Sequence, residues 1–360
     1  MQNAKMKKYD PKVTPWQVAE QDFPKDGALE EKFKFLLRYA ILAPSGHNTQ
    51  PWKFKLLPDG VFIYADYTRR LPVVDPDDRE LVISIGAAIM NLRVAAAHFG
   101  YACEVQYQPK ADTPELLAFA RLSESSQTDP ELKKLFHAIV QRRTNRIAYE
   151  VRSLAKGELE RLQKLTTGQK AAIRIVTDKT IQASIAELVS QGDLIQMSDP
   201  AFRQELASWV RSNWTRRGDG IAAYGFGIPG IISWMGPWFM RTFDLGKPQA
   251  KKDYQFAKEA TALIIVHGED TKESLLEVGE MFERFVLTAT SMGLQYAFLN
   301  QPVEVRDLRT RLQAILGLAD LPQLLFRIGY AELQRRAMPR RPLDAVLIEF
   351  SKTRQKEMAL

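Results

Sequence analysis

The stretch Ala43-Pro44-Ser45-Gly46-His47-Asn48-Thr49-Gln50-Pro51-Trp52 joins a helix breaker to short hydroxyl and amide side chains and an aromatic anchor. A loop of that kind leaves backbone N–H groups and small polar side chains free to grip a ligand. The plainer reading is a proline-stopped helix whose Trp52 anchors the core. Two basic clusters stand elsewhere, Arg142-Arg143-Thr144-Asn145-Arg146 and Arg340-Arg341. Guanidinium forks pair bidentately with phosphate oxygens and never lose their charge. Their plainer reading is a solvated basic face.

Other chemistries find little support. His47, His98, His137 and His267 are far apart, with no H-E-x-x-H pattern, so a metal site is not expected. The single cysteine, Cys103, rules out an intrachain disulfide and a cysteine-held metal cluster. With no secretory apolar region near Met1, it points to the cytoplasm. The net charge of +7 favours an anionic ligand or partner. No basic-aromatic repeat or zinc spacing suggests nucleic acid. With 45% apolar and 26% charged residues, the chain has ordinary globular composition, at a length suited to about two domains.

The elements that must position these residues can be read from periodicity. A polar arm (1–27) precedes a predicted helix from Leu29 to Ala43, which Pro44 stops. Strands follow at Trp52 to Leu56 and Val61 to Asp66. Asp78 is expected to cap a helix to about Phe99, stopped by Gly100, before a strand from Ala102 to Tyr107. The segment from Pro109 to Thr128 reads as looser, with a Leu-rich stretch at Leu116 to Leu122. Helices are expected at Pro130 to Val140, Lys156 to Leu165, Ile181 to Gln191, Pro200 to Trp214, Lys272 to Met292 and Val305 to Leu316. Strands are expected at Ala172 to Thr177, Ala262 to Val266, Tyr296 to Leu299 and Gln323 to Tyr330.

From Gly220 to Met240 there is no charged residue. The length suits a membrane span, but Gly225, Gly227, Pro229, Gly230, Gly236 and Pro237 argue against one continuous helix. A mobile apolar flap carrying Trp234, Trp238 and Phe239 fits better, as a lid or as packing against a partner.

An internal repeat is also legible. Gly86 to Gly100 and Gly279 to Gly293 have the same spacing, both read as long helices, and each precedes a short strand. Upstream, each half shows a helix followed by a strand. Duplication with a large insertion in the second copy accounts for this better than chance likeness of two core helices.

The motif Ala-Pro-Ser-x-x-Asn-x-Gln-Pro-Trp at a helix end resembles the flavin-binding loop of the nitroreductase family. The arrangement over about 28 to 345 resembles its Acg-type subfamily, as do Arg327-Ile328-Gly329-Tyr330 and Pro339-Arg340-Arg341-Pro342-Leu343. The resemblance implies an α+β fold, a mixed sheet wrapped by helices, with two pseudo-symmetric halves. These would be 28–128 and 129–348, with a lid insertion at about 195–255 and a tail at 349–360. Each motif occurs once, so the resemblance implies a single-chain pseudo-dimer holding one FMN per chain, with further homodimerisation open.

The resemblance also assigns roles. Arg142, Thr144 and Arg146 would grip the phosphate, and Arg340 and Arg341 would close on it. Pro44, Ser45 and Asn48 would border the ribityl chain and ring. Gly46 and His47 stand where family members vary. Asn300 and Gln301 would lie near flavin N5, although Gln301 and Pro302 depart from a frequent glycine. No side chain need act as a nucleophile, since hydride passes from NAD(P)H through the flavin. The expected acceptor is a small nitroaromatic or quinone, with no nucleic-acid or membrane partner. The alternative is an FMN-sequestering or storage protein whose lid keeps nicotinamide out.

Overall fold

The structure, a computed structural model, describes residues 9–124, 129–333 and 336–348. Helix α1 (Leu29–Ala40) leads to a hairpin of β1 (Trp52–Leu57) and β2 (Gly60–Ala65). Helix α2 (Arg79–His98) is followed by β3 (Tyr101–Tyr107) and β4 (Leu116–Glu124). Short helices α3 (Pro130–Lys133) and α4 (Phe136–Gln141) precede α5 (Lys156–Gln163) and β5 (Ala171–Val176). Then come α6 (Lys179–Ser198), α7 (Pro200–Trp209), the two-residue strands β6 (Val210–Arg211) and β7 (Ile221–Ala222), α8 (Gly236–Thr242) and α9 (Gly246–Lys258). The chain closes through β8 (Ala262–Gly268), α10 (Lys272–Ser291), β9 (Gln295–Phe298), α11 (Gln301–Glu304), α12 (Arg306–Leu316) and β10 (Pro322–Gly329).

The fold is α+β, with two four-stranded sheets ordered β1-β2-β4-β3 and β5-β8-β10-β9. Counted in chain order, both follow the pattern first-second-fourth-third, and in both a long helix joins the second strand to the third. All ladders within these sheets are antiparallel. Parallel bridges occur where outside segments join an edge: Thr144 pairs with Tyr296 on β9, and Leu347 with Phe54 on β1.

One apolar core joins both sheets through α1, α2 and α10. The second sheet is also covered on its other face by α6, α9 and α12, through Ile185, Val189, Ala257 and Leu312. Two covered faces explain why β8 and β10 are almost continuous apolar runs, whereas β2 alternates buried and half-buried residues. Helices α2 and α10 cross at Gly86 and Gly279. A Cβ on Gly279 would collide with the Ile83 carbonyl and lie 2.8 Å from the Gly86 Cα.

Two expectations change. Leu116 to Leu122 belongs to a full strand, β4, whose first five residues are all buried, so alternation was hidden. Asp75, not Asp78, caps α2: its carboxylate accepts from the Glu80 and Leu81 amides at 3.1 and 2.9 Å. Asp78 adopts φ +56° and pairs with Arg70 instead. The segment between the first two strands of the second sheet runs over 177–261, where the first sheet has only the β1–β2 hairpin turn.

The uncharged segment is broken into β7, turns at Ala223–Phe226 and Gly230–Met235, and α8. It is not one spanning helix. Among the described residues only α2 is long and apolar enough to cross a membrane, and it is buried in the core.

Candidate functional site

A cavity of about 1110 Å³ opens beside α2, whose Glu80, Ile83, Ser84 and Ala87 form part of its wall. It gathers Pro44, Ser45, Gly46, His47, Asn48, Arg142, Thr144, Arg146, Asn300, Gln301 and Arg340 from segments far apart in sequence. Arg341 is the exception. Its guanidinium donates to the Gln50 and Ala345 carbonyls, at 3.1 and 2.8 Å, outside the lining.

The loop after α1 is held in an unusual backbone form. His47, Asn48 and Gln50 all have left-handed φ, at 46°, 56° and 53°. Such positions are costly for residues with side chains and persist where the surroundings over-determine them. Here the surroundings are specific. Asn48 Nδ2 donates to the Gly220 carbonyl at 2.8 Å and the Pro339 carbonyl at 3.0 Å, while its Oδ1 accepts from Arg340 at 2.9 Å. Ser45 Oγ accepts from the Gln50 amide, and Gln50 Nε2 donates to the Gly218 carbonyl. The polar side chains of the motif therefore bind the loop to the foot of the uncharged segment and to the C-terminal strap.

The arginines divide into two kinds. Arg142 and Arg340 are almost fully buried and both donate to the Leu42 carbonyl at 2.9 Å. Arg142 also donates to the Tyr296 hydroxyl at 2.5 Å and pairs with Glu283 at 3.3 Å. Burial pushes the Glu283 carboxyl up to about 7 against the pull of Arg142 and Arg340. Burial, reinforced by the positive neighbours, draws Arg143 down to about 10 and Arg340 down to about 9. Arg143 and Arg340 lie 4.1 and 4.9 Å from the Trp16 ring, and Trp16 Nε1 donates to the Met338 carbonyl. Arg146 differs: among the described residues it has no hydrogen bond or ion pair, only the Phe226 ring at 5.8 Å. Burial and the charge of Arg146 draw His47 down to about 4, so its imidazole is neutral at pH 7 and its Nε2 lacks a partner.

Part of the wall is acidic, and the sequence did not point to it. Gln301 Nε2 donates to both Asp193 and Asp253, at 2.9 and 3.1 Å. Asn300 donates to Glu80 at 3.0 Å, and Gln196 donates to Glu304 at 2.6 Å. Burial, then the charge of Asp253, pushes Asp193 up to about 8; burial, then Glu304, raises Glu80; and burial raises Glu304. Glu80 could have been noticed as a charge opening an otherwise apolar helix. Nothing local distinguishes Asp193 or Asp253 from exposed acids on amphipathic helices.

No protein-family model matches the chain. An inferred NAD(P)H nitroreductase of Mycobacterium tuberculosis strain H37Rv is 27% identical over 87% of this chain and 89% of its own length. The inferred NAD(P)H nitroreductase Acg of that strain is 26% identical over 87% of this chain and 94% of its own. Over most of its length the chain is similar to nitroreductases. A solved FMN- and NADPH-dependent nitroreductase from a Sphingopyxis-type bacterium (strain HMH) covers 60% of the chain at 18% identity, with a TM-score of 0.41.

Proposed function

We propose that this nitroreductase-like chain is an FMN-dependent oxidoreductase that takes electrons from NAD(P)H and passes them to a nitroaromatic or quinone-type acceptor. The observation that carries this reading is the surplus of positive charge beside the strained loop. Arg142 and Arg340 share one buried carboxylate, Glu283, and Arg146, on the same cavity wall, makes no hydrogen bond or ion pair among the described residues. A guanidinium held at a cavity wall without a partner keeps its donors free, and a dianionic phosphate would pair with them.

The residues present fit that cofactor. Among the described residues the Arg146 guanidinium makes no hydrogen bond, and the Thr144 hydroxyl meets only Tyr296, at 3.3 Å. Arg142 and Arg340 add field while their main donors stay on Leu42. Phe226, Ile228 and Phe239 give apolar walls suited to a flat ring. FMN bound here would supply the hydride-accepting and hydride-donating centre. Neutral His47 would approach the ligand without adding charge, and the uncharged segment would keep water from it.

The two halves would be copies of one unit, a pseudo-dimer with a single flavin site. Support comes from the shared strand order, the glycine crossing, and the edge bridges by which residues 143–145 join the second sheet and 346–348 the first. The bridges use non-equivalent edges, so the exchange is not symmetric. Storage of flavin remains a second reading, favoured by how much of the cavity wall the uncharged segment supplies. The test is flavin content per purified chain, followed by NADPH oxidation with a nitroaromatic. About one FMN per chain with turnover supports the oxidoreductase reading. Bound flavin without turnover supports storage, and a colourless chain that takes up no FMN overturns both.

A further inference from the structure

The uncharged segment presents a surface as well as a cavity wall. Trp214, Ile231 and Trp234 are 76%, 88% and 70% exposed, and Trp238, Phe239 and Phe243 are also open to solvent. The last three form one cluster, with Phe243 at 5.6 Å from the Trp238 ring and 4.8 Å from the Phe239 ring. Trp214 lies against the backbone at Gly230, next to Ile231. An exposed apolar cluster of this kind marks a docking surface.

The flanking charge says what docks there. Arg216, Arg241, Lys247 and Lys251 are exposed and, among the described residues, make no ion pair. Asp244 is the exposed acid of that stretch, and its carboxylate accepts from the Gly246 amide. Two copies of this chain meeting through the patch would bring like charges together. Tryptophan and phenylalanine ringed by unpaired arginine and lysine match the acyl–headgroup boundary of an anionic bilayer.

We propose that this face docks on anionic lipid. The glycines and prolines that argue against a spanning helix leave such shallow docking open. Ile232 and Phe239 are both exposed and part of the cavity lining, so docking turns the cavity mouth towards the acyl chains. On the oxidoreductase reading, which this consequence alone requires, the acceptor is an apolar quinone-type molecule drawn from the bilayer.

The test is co-sedimentation of the full chain with vesicles of phosphatidylcholine alone or mixed equally with phosphatidylglycerol. It reads no activity, so its result is separate from that of the flavin assay. The wild type is expected to partition onto the anionic vesicles and to leave them as salt is added. The double variant Ile231→Ser/Trp234→Ser changes residues outside the cavity lining and should lower the partition coefficient by about tenfold or more. Arg216→Glu/Arg241→Glu should do the same on anionic vesicles only. Equal partition of the wild type and both variants would overturn the proposal. So would failure to bind vesicles accompanied by self-association in solution that the apolar double variant abolishes, which would assign the patch to a second copy.

Discussion

Gly86 and Gly279 meet where α2 crosses α10, each at the same position of its own glycine-bounded helix. Neither has room for a methyl group, because the opposing obstacle is backbone: the Leu276 carbonyl for Gly86 and the Ile83 carbonyl for Gly279. Backbone cannot swing aside as a long side chain can. Gly279→Ala should therefore cost roughly 1–3 kcal/mol of unfolding free energy, as overpacking does. Urea unfolding checks this, and an unchanged midpoint would show that the helices separate without penalty.

The two kinds of arginine should respond in opposite ways. Arg146→Ala removes an unpartnered charge and should leave stability within about 0.5 kcal/mol of the wild type. If FMN is the ligand, its affinity should fall roughly 10- to 100-fold, the value of a charge-assisted hydrogen bond. Arg142→Ala strips Glu283 and the Leu42 carbonyl of a buried donor and should destabilise by roughly 3–5 kcal/mol. Titrating FMN into each variant, alongside urea unfolding, separates the roles. A large stability loss for Arg146→Ala would mean its side chain is structural.

That contrast shows what the sequence could and could not say. The helix-loop-strand at Leu29 to Leu56 was legible because Pro44, the helical spacing before it and the alternation after it agree. Most other elements were placed within a few residues for the same reason. β4 was not, because a strand whose inner half is wholly buried has no alternation to read. The basic side of the site was legible because its residues are clustered in sequence. The acidic side assembles from Glu80, Asp193, Asp253 and Glu304 on four helices, and only tertiary packing brings them together. Sequence also could not show that Asn48 is engaged with Gly220, Pro339 and Arg340, or Arg340 with Leu42 and Ala43, since these partners lie hundreds of residues apart or nearly so.

The link from Asn48 to Gly220 makes the strained loop and the uncharged segment one mechanical unit. Asn48→Ala leaves the Gly220 and Pro339 carbonyls and Arg340 short of a partner and should cost at least about 2 kcal/mol. The loss should be local, freeing the chain near Gly220 before the sheets unfold. Hydrogen exchange should therefore quicken at Gly220 and Ile221 while β8 and β10 stay protected. Uniform acceleration across both regions would place the effect in global stability instead.

Asp193 should make stability depend on pH in the neutral range. Its carboxyl is pushed up to about 8 from an ordinary 3.8, mainly by burial and then by Asp253. Between those values the folded chain binds a proton that the unfolded chain has released, so stability falls as pH rises. His47 works the other way: its folded value of about 4 lies below the ordinary 6.5, so it makes stability rise with pH, but only between those values. Glu283 has its influence mostly below about 7. From pH 7 to 8 Asp193 should lower stability by about 1 kcal/mol, beside whatever Glu80 adds, since burial and Glu304 hold the Glu80 carboxyl well above its ordinary value too. Asp193→Asn carries no titrating proton and should make stability fall less steeply with pH throughout the range from about 4 to about 8. Urea unfolding at matched ionic strength gives both slopes, and identical slopes for wild type and variant would show that Asp193 is ionised throughout.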